Sequence, residues 1–192
     1  MEWAWLERVP YARALRLQEL VRDQVVEGRA ADMLLLLEHD PVITLGLSAD
    51  VANVLASRED LLKKGISVVR TSRGGDVTFH GPGQIVGYPI FRLRRGVRAH
   101  VKAMAEGIIA VLGLLGIRAE WRESQPGVWV GADKICAVGV YVRRHVAMHG
   151  FALNVNNDLT AFQTIVPCGL RQAGVTSVAT VLGTACALPE MA

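Results

Sequence analysis

Three cysteines are the candidates for nucleophilic chemistry in this 192-residue chain. Cys168 lies between a proline and a glycine, which indicates a turn from which a thiol can point into a cleft. Cys136 lies within an apolar run and Cys186 lies near the C-terminus. A thiol acts as a nucleophile when it is partly exposed and close to a cation or a base. Cys168 is therefore the candidate nucleophile, and inert packing is the alternative that holds for any lone cysteine.

Lys134 is the candidate for proton transfer. It opens the apolar run 134–142, which is an unusual place for a lysine. If its side chain is partly buried there, loss of hydration favours the neutral amine, which can accept a proton. The alternative is an exposed lysine at the end of a strand, where its charge protects a sheet edge.

The segment 73–88, RGGDVTFHGPGQIVGY, concentrates glycine around a central histidine. Glycine lets the backbone approach a ligand closely and adopt positive φ. We expect a substrate-lining loop with His80 and backbone N–H groups turned inward, and a tight strand–loop–strand turn is the alternative. The glycine spacing fits neither a phosphate-binding loop nor a dinucleotide-binding fingerprint.

Two further features carry weaker signals. His145 and His149 are four residues apart, but in a strand this spacing covers ~13 Å, too far for two ligands of one zinc ion. We therefore predict no metal site, and expect His149 and Gly150 to form a pocket wall or a structural contact. The segment 91–102 holds five cations and no acid, which indicates either a docking patch for an acidic protein or a solvated surface.

Composition bounds the class of protein. The chain is 51% hydrophobic and 20% charged, so it can form a core without disulfide or metal support, and we expect one domain over residues 1–192. The odd number of cysteines favours a reducing compartment. The longest apolar run, 107–117, is too short for a transmembrane helix, which needs about twenty residues. We expect a soluble cytoplasmic protein with no membrane partner. A net charge of +3 is too small to indicate nucleic-acid binding.

The periodicity predicts the elements that must position these residues. Helices are expected at 10–27, 58–64, 98–115 and near 176–182. Strands are expected at 32–38, 42–45, 67–70, 77–80, 84–91, 118–123, 128–130, 134–142 and 146–155, with a hairpin at 143–144. Adjacent strands joined by short turns indicate antiparallel pairing. The prediction is an α+β fold with a mixed, largely antiparallel sheet flanked by helices.

The motifs together resemble the lipoyl(octanoyl) transferase family. The signature-like segment is RGGDVTFHGPGQ at 73–84, continuing to Tyr88. The resemblance extends to LEHDPVITLG at 37–46, GVW at 127–129, KICAVG at 134–139, HGFALNVN at 149–156, PCG at 167–169 and VTS at 175–177. The departures, at Asp76, Phe79 and Val166, remove no functional group.

The resemblance implies both a fold and an activity. The fold is that of the catalytic domain of biotin and lipoate protein ligases. The activity is transfer of an octanoyl or lipoyl group from acyl carrier protein to a lysine of lipoyl-domain proteins, through a cysteine acyl-thioester and without a cofactor. The implied acceptors are the E2 subunits of 2-oxoacid dehydrogenases and the glycine cleavage H protein.

The resemblance also assigns roles to residues. Cys168 carries over as the nucleophile and Lys134 as its partner. The residues that would bind the acyl substrate come from the glycine-rich loop and the two central blocks: Arg73, Gly74, Gly75, Thr78, His80, Gly81, Gly83, Gln84, Ala137, Val138, Gly139, His149, Gly150 and Ala152.

Three other functions remain open at this point. An ATP-dependent lipoate or biotin-type ligase of the same superfamily would share the glycine-rich loop and Lys134 but would not need a thiol. A cysteine hydrolase would release free acid from the thioester. A non-catalytic basic protein would bind nucleic acid in a salt-sensitive way.

Overall fold

The computed structural model describes residues 1–167 and 174–188. Within these residues the chain forms a larger sheet of eight strands and a smaller sheet of three. The strands are β1 Glu2–Arg8, β2 Met33–Glu38, β3 Val42–Leu45, β4 Ser67–Arg70, β5 Val77–His80, β6 Gln84–Ile90, β7 Glu120–Trp121, β8 Val128–Val130, β9 Asp133–Arg143, β10 Val146–Asn154 and β11 Gly174–Val175. The helices are α1 Tyr11–Val26, α2 Arg58–Lys63, α3 Gly96–Leu114 and α4 Val178–Leu182, with 3-10 turns at Val51–Asn53 and Leu159–Thr164.

Most neighbouring strands of the larger sheet are antiparallel. The order is β1-β2-β6-β10-β9-β8-β7, and β11 lies beside β9. Among the described strands of this sheet, only the β1–β2 and β11–β9 pairs are parallel. The smaller sheet has the order β4-β3-β5, with one parallel and one antiparallel pair. The predicted mixed, largely antiparallel α+β fold is confirmed.

Two helices cover opposite faces of the larger sheet. Alternation along the strands separates the two faces, because Ile85 and Leu153 pack in the cluster that includes α3, whereas Val86 and Ala152 pack in the cluster that includes α1. A third cluster, centred on Phe79, fills the space between the smaller sheet, α2 and the 3-10 turn at Leu159–Thr164. The α1 face of the larger sheet is the face on which the cavity described below lies.

Three element predictions need correction. The N-terminal strand β1 was not predicted, because its pattern has charges at both ends and its pairing with β2 is distant in sequence. The strand predicted at 118–123 is only Glu120–Trp121, because its neighbour β8 is three residues long and offers no further partners. The long helix begins two residues before the predicted start, at Gly96.

The described ranges contain no helix that is both long and apolar enough to cross a bilayer.

Candidate active site

A cavity of about 300 Å³ is enclosed by α1, the smaller sheet and the larger sheet. Most of the predicted site residues line it: Arg73, Gly75, Thr78, His80, Lys134, Ala137, Val138, Gly139, His149, Gly150 and Ala152. Three blocks that are distant in the sequence therefore meet at one cavity. Exposed residues at its rim include Ser48, Gly75, Ser124 and Pro126.

Four predicted residues lie beside this cavity without lining it. The Gly74 amide donates to the Val140 carbonyl at 2.9 Å, and the Gly83 amide donates to the Glu38 carboxylate at 2.5 Å. Gly81 lines a separate cavity of about 350 Å³. Gln84 lines a much smaller one of about 10 Å³, which shares Lys134, Ala137 and Ala152 with the main cavity. These residues support the site through the backbone and through packing.

Two glycines explain why the sequence needs this residue type here. A Cβ at Gly139 would lie 2.8 Å from the Gly74 carbonyl oxygen, so only glycine lets the loop rest on β9. Gly83 has φ of 85°, and a Cβ there would lie 2.6 Å from the Asn157 amide nitrogen. Close approach therefore requires glycine at both positions, and at Gly83 the positive φ requires it as well.

Arg73 connects the glycine-rich loop to the smaller sheet. Its guanidinium donates to the Thr44 carbonyl at 2.7 Å, to the Thr44 hydroxyl at 2.9 and 3.1 Å, and to the Asp76 carbonyl at 2.7 Å. Because the planar guanidinium holds several donors in fixed directions, these bonds set the shape of the loop. The positive charge of Arg73 thus lies at the wall of the cavity.

His80 belongs to a buried chain of hydrogen bonds. The Gln84 amide nitrogen donates to the Phe79 carbonyl at 3.2 Å and to the Asn154 side-chain oxygen at 2.9 Å, so its oxygen is free to accept from His80 Nδ1 at 2.9 Å. His80 Nε2 is then the acceptor that faces the Thr44 hydroxyl at 3.3 Å. Both ring nitrogens of His80 are therefore engaged with the protein.

His149 has an unusual backbone conformation. Its φ is 58°, although it is not a glycine, and its side chain is buried. Its amide donates to the Gln18 side-chain oxygen at 2.8 Å, and its Nε2 lies 3.1 Å from the Ser72 hydroxyl. A left-handed conformation at a non-glycine residue is strained, and contacts on both sides hold it in place. The sequence prediction that His149 forms part of the pocket wall agrees with this position.

Sequence reasoning missed an aromatic part of the cavity wall. The hydroxyl of Tyr11 donates to Thr71 at 3.0 Å, and the hydroxyl of Tyr88 donates to His39 Nε2 at 2.7 Å. The other His39 nitrogen, Nδ1, donates to the Val9 carbonyl at 2.7 Å. Burial raises the pKa of both tyrosines, so both remain phenols. Tyr11 is far from the glycine-rich loop in sequence, and no local pattern could have placed it there.

The three buried histidines of this region are neutral. Burial lowers the pKa of His39 and of His149 from 6.5 to about 4. Burial, with a smaller contribution from the nearby His39, lowers that of His80 to about 3. Loss of hydration disfavours the imidazolium form in each case.

The unfolding free energy is therefore expected to fall as the pH drops from 6.5 toward 4. In that range the unfolded chain binds protons at His39, His80 and His149 that the folded chain does not bind, so acid favours unfolding. Each histidine contributes about 1.4 kcal/mol per pH unit, or about 4 kcal/mol per unit for the three. Urea unfolding at pH 7, 6 and 5 measures this slope.

Two variants test the source of the slope. His39→Gln is expected to reduce it by about one third, whereas His145→Asn is expected to leave it unchanged, because His145 is exposed at the hairpin turn. Equal unfolding free energies at pH 7 and pH 5 would contradict the assignment.

Lys134 is buried, with 6% of its surface exposed. Its Nζ donates to the Pro126 carbonyl at 3.2 Å and lies 5.0 Å from the centre of the Trp129 ring. The backbone at Gly127 encloses the stem, because a Cβ there would come within 2.9 Å of the Lys134 Cε atom. The predicted alternative of an exposed strand-end lysine is therefore wrong: the Lys134 amino group is held in place at the cavity wall.

Cys168 lies outside the described residues. The described residues on either side of its segment are close to Lys134: Pro167 lines the small cavity together with Lys134, and Gly174 and Val175 pair with Asp133 and Lys134. The chain that leads to Pro167 is held by a β-bridge between Val54 and Ile165.

The other two cysteines have different surroundings. Cys136 is completely buried in the α3-facing core, and burial raises the pKa of its thiol from 9.0 to about 12. Cys186 is partly buried near the end of the described chain, where its backbone bonds to Asn156. The position of Cys136 is that of a packing residue, as its apolar sequence context indicates.

Among the described residues, no group of three or more His, Cys, Asp or Glu side chains is placed to hold a metal ion. His145 is exposed and His149 is buried, so the two do not face one site.

Comparison with known proteins gives the family. A family model described as the lipoyl protein ligase A/B catalytic domain matches residues 10–192. The chain belongs to this family. Among its relatives, a protein named octanoyltransferase from Solibacter usitatus is 51% identical over 189 residues, which cover 97% of this chain and 85% of the relative. A second octanoyltransferase, from Myxococcus xanthus, is 48% identical over 195 residues, and there the chain spans 55% of the relative's length.

Solved structures of lipoate and biotin protein ligases share the fold. A bipartite lipoate protein ligase from Thermoplasma acidophilum matches with a TM-score of 0.74 at 19% identity, covering 99% of this chain and 78% of that one. A biotin protein ligase from Aquifex aeolicus, in complex with biotin and ATP, matches with a TM-score of 0.59 at 12% identity, covering 99% and 65%. The predicted likeness to the ligase catalytic domain is confirmed at the level of the fold.

Proposed function

We propose that this lipoyl protein ligase A/B family member is an octanoyltransferase. It takes an octanoyl group from acyl carrier protein and transfers it to a lysine of a lipoyl domain, in E2 subunits of 2-oxoacid dehydrogenases or in the glycine cleavage H protein. Octanoyltransferases are the relatives that match most of this chain at 46–51% identity. The 192 residues act as one acyltransferase catalytic domain.

The observation that carries the proposal is the position of Lys134. Its buried amino group lies at the wall of a cavity of about 300 Å³, close to the described residues on both sides of the Cys168 segment. An amine next to a thiol can take its proton and then hold the nucleophilic thiolate as an ion pair. We assign Cys168 as the nucleophile and Lys134 as the group that exchanges its proton.

Two acyl transfers make up the reaction. Lys134 takes the proton of Cys168, and the thiolate attacks the carrier thioester, so that one C–S bond forms as the carrier C–S bond breaks. The carrier thiolate leaves and takes that proton from Lys134, which becomes neutral again. The acceptor amine then attacks the enzyme thioester and loses a proton to Lys134. The amide forms as the C–S bond to Cys168 breaks, and Lys134 returns the proton to the Cys168 thiolate. Because a thioester is already activated, the two transfers need no ATP.

Intact-mass spectrometry tests the proposal. The protein is mixed with octanoyl acyl carrier protein without ATP, and a lipoyl domain is added in a second step. We expect an octanoyl adduct on the protein that disappears as the lipoyl domain gains the same mass. Octanoylation that requires ATP and free octanoate would instead show a ligase, and release of free octanoate without an acyl amide would show a hydrolase.

The cavity is expected to select the acyl chain by length. Ala137 and Ala152 face each other across β9 and β10, and both line the cavity. Each buried methylene contributes about 0.8 kcal/mol, so a hexanoyl donor should lose about 15-fold in kcat/KM relative to octanoyl. Ala152→Leu places a larger side chain in the cavity and should reverse this preference.

Donor kinetics with six-, eight- and twelve-carbon chains measure the effect. Ala103→Leu is the matched control, because it adds the same side chain at an exposed position of α3 and should keep the octanoyl preference. Equal rates for all three chain lengths in the wild type would mean an open groove.

A further inference from the structure

Two basic segments that are distant in the sequence form one surface. The loop after β6 and the first turn of α3 carry Arg94, Arg95 and Arg98, and the β9–β10 hairpin carries Arg143 and Arg144. We call these five exposed arginines the basic surface.

Backbone bonds hold the two segments together. The Leu93 amide donates to the His145 carbonyl at 2.7 Å, and the Ala147 amide donates to the Phe91 carbonyl at 2.9 Å. Arg92 and Val146 form a β-bridge between these two bonds. The hairpin and the loop are therefore one rigid unit, which the sequence run at 91–102 shows only in part.

Acidic residues lie beside this surface but do not pair with its arginines: Asp23 and Glu27 line a pocket with Arg143 and Arg144, and Asp32 and Glu106 line one with Arg94 and Arg95. None of its arginines forms an ion pair with a residue in the described part of the chain. Two neighbouring cations, by contrast, have partners within the protein. Lys102 pairs with Glu106 at 3.7 Å, and Arg92 donates to the Val25 carbonyl at 2.5 Å. Five positive charges on a chain with a net charge of +3 leave the rest of the chain net negative. Such a concentration of one sign attracts a partner of the opposite sign.

The basic surface lies near one edge of the cavity. Gly74 bonds to Val140 on β9, and its neighbour Gly75 is an exposed residue of the cavity lining. Arg143 is three residues beyond Val140 on the same strand, a distance of about 10 Å. Lys134 is six residues from Val140 in the opposite direction, about 20 Å away.

These distances decide which substrate can use the surface. An extended chain advances about 1.2 Å per bond, so the side chain of an acceptor lysine reaches only ~6 Å from its Cα atom. The acceptor must therefore dock directly at Lys134. A phosphopantetheine arm has about thirteen bonds between phosphorus and sulfur and reaches ~16 Å. This is shorter than the ~30 Å between Arg143 and Lys134 along β9, so a carrier that contacts the arginines must also extend to the cavity edge and attach its arm there.

We propose that the basic surface docks an acidic carrier protein, which delivers the octanoyl thioester on its flexible arm. The proposal rests on the octanoyltransferase function and names the site of its donor. The carrier contacts the arginines beside the cavity edge, and the acceptor domain approaches at the Lys134 end. The two protein substrates thus use different surfaces.

Charge reversal of each half of the surface tests the proposal. Arg143→Glu with Arg144→Glu, and Arg94→Glu with Arg95→Glu, should each lower kcat/KM for octanoyl acyl carrier protein by about 10-fold or more. Both double variants should also reduce the dependence of this kcat/KM on salt concentration. Octanoyl-pantetheine, which has the arm without the protein, should react at the wild-type rate. The control pair Arg13→Glu with Arg16→Glu makes the same charge change on exposed positions of α1 and should have little effect.

Several outcomes would overturn the docking assignment alone. These are a rise in KM for the lipoyl domain instead of the carrier, an equal loss with octanoyl-pantetheine, or the same loss in the control pair. Loss of binding to duplex DNA with unchanged carrier kinetics would assign the surface to nucleic acid. A wild-type protein that accepts octanoyl from neither donor would instead refute the proposed function itself, and this proposal with it.

Discussion

Cys168→Ala is expected to abolish the octanoyl adduct, whereas Cys136→Ala and Cys186→Ala should retain it. The structure supplies the reason for Cys136, which is fully buried and has a pKa raised to about 12 by that burial. At pH 7 its thiolate fraction is ~10⁻⁵, and no donor can reach its sulfur. The neighbour of Cys168, Pro167, lines a small cavity together with Lys134, and the turn-like sequence around Cys168 suits an accessible thiol.

Peptide mapping of the acylated protein measures the outcome. The octanoyl mass should appear on the peptide that contains Cys168, and the rate of adduct formation in Cys186→Ala should match the wild type. Cys136→Ala is a check with a known side effect, because it leaves a space in the α3-facing core and should lower Tm without lowering the yield of adduct. An adduct on the Cys136 peptide would contradict the assignment of Cys168 as the nucleophile.

Local sequence patterns were sufficient for most of the fold. The glycine-rich run, the apolar strands of the centre and the long helix α3 were all predictable, because period and turn residues are local signals. The strand β1 was not, since it lies at a sheet edge and is stabilised by parallel pairing with β2, about thirty residues later. Such pairing leaves little trace in the local pattern.

The residues of the candidate site likewise include some that local sequence patterns identify and others that they do not. Arg73, His80 and His149 could be singled out because glycine clusters around them. Tyr11 could not, because it reaches the cavity only through tertiary contacts, such as that with the His39 ring, whose centre is 5.2 Å away. The resemblance includes Thr44 within the motif at 37–46 but assigns it no role, although this residue receives three hydrogen bonds from Arg73.

Contacts in the folded chain also change the roles expected of residues that the sequence did identify. The five cations at 91–102 looked equivalent, yet Arg92 and Lys102 are occupied by neighbours. The hairpin supplies two replacements, Arg143 and Arg144. The three buried histidines are neutral. His80 and His149 line the cavity, whereas His39 is bonded to Tyr88, which lines it. This leaves Lys134 as the residue whose burial and position suit proton transfer best.

Lys134→Arg is expected to keep the fold and the positive charge but to lose octanoyl transfer by about 100-fold or more. Guanidinium stays protonated throughout the accessible pH range, so it can stabilise the Cys168 thiolate but cannot accept a proton from the thiol or the incoming amine. The surroundings add to the loss, because the Lys134 Nζ is directed at the Pro126 carbonyl between Trp129 and the Gly127 backbone.

Two measurements separate the charge of Lys134 from its proton. The pH profile of Cys168 alkylation by iodoacetamide reports the thiolate, and octanoyl transfer reports the complete reaction. Lys134→Ala should lower both, because the charge is lost, whereas Lys134→Arg should keep alkylation near the wild-type rate and lose transfer. Lys64→Arg, an exchange at an exposed position, should change neither. If Lys134→Arg transfers octanoyl at nearly the wild-type rate, the lysine contributes only its charge, and the proton acceptor must be one of the neutral histidines, His80 or His149.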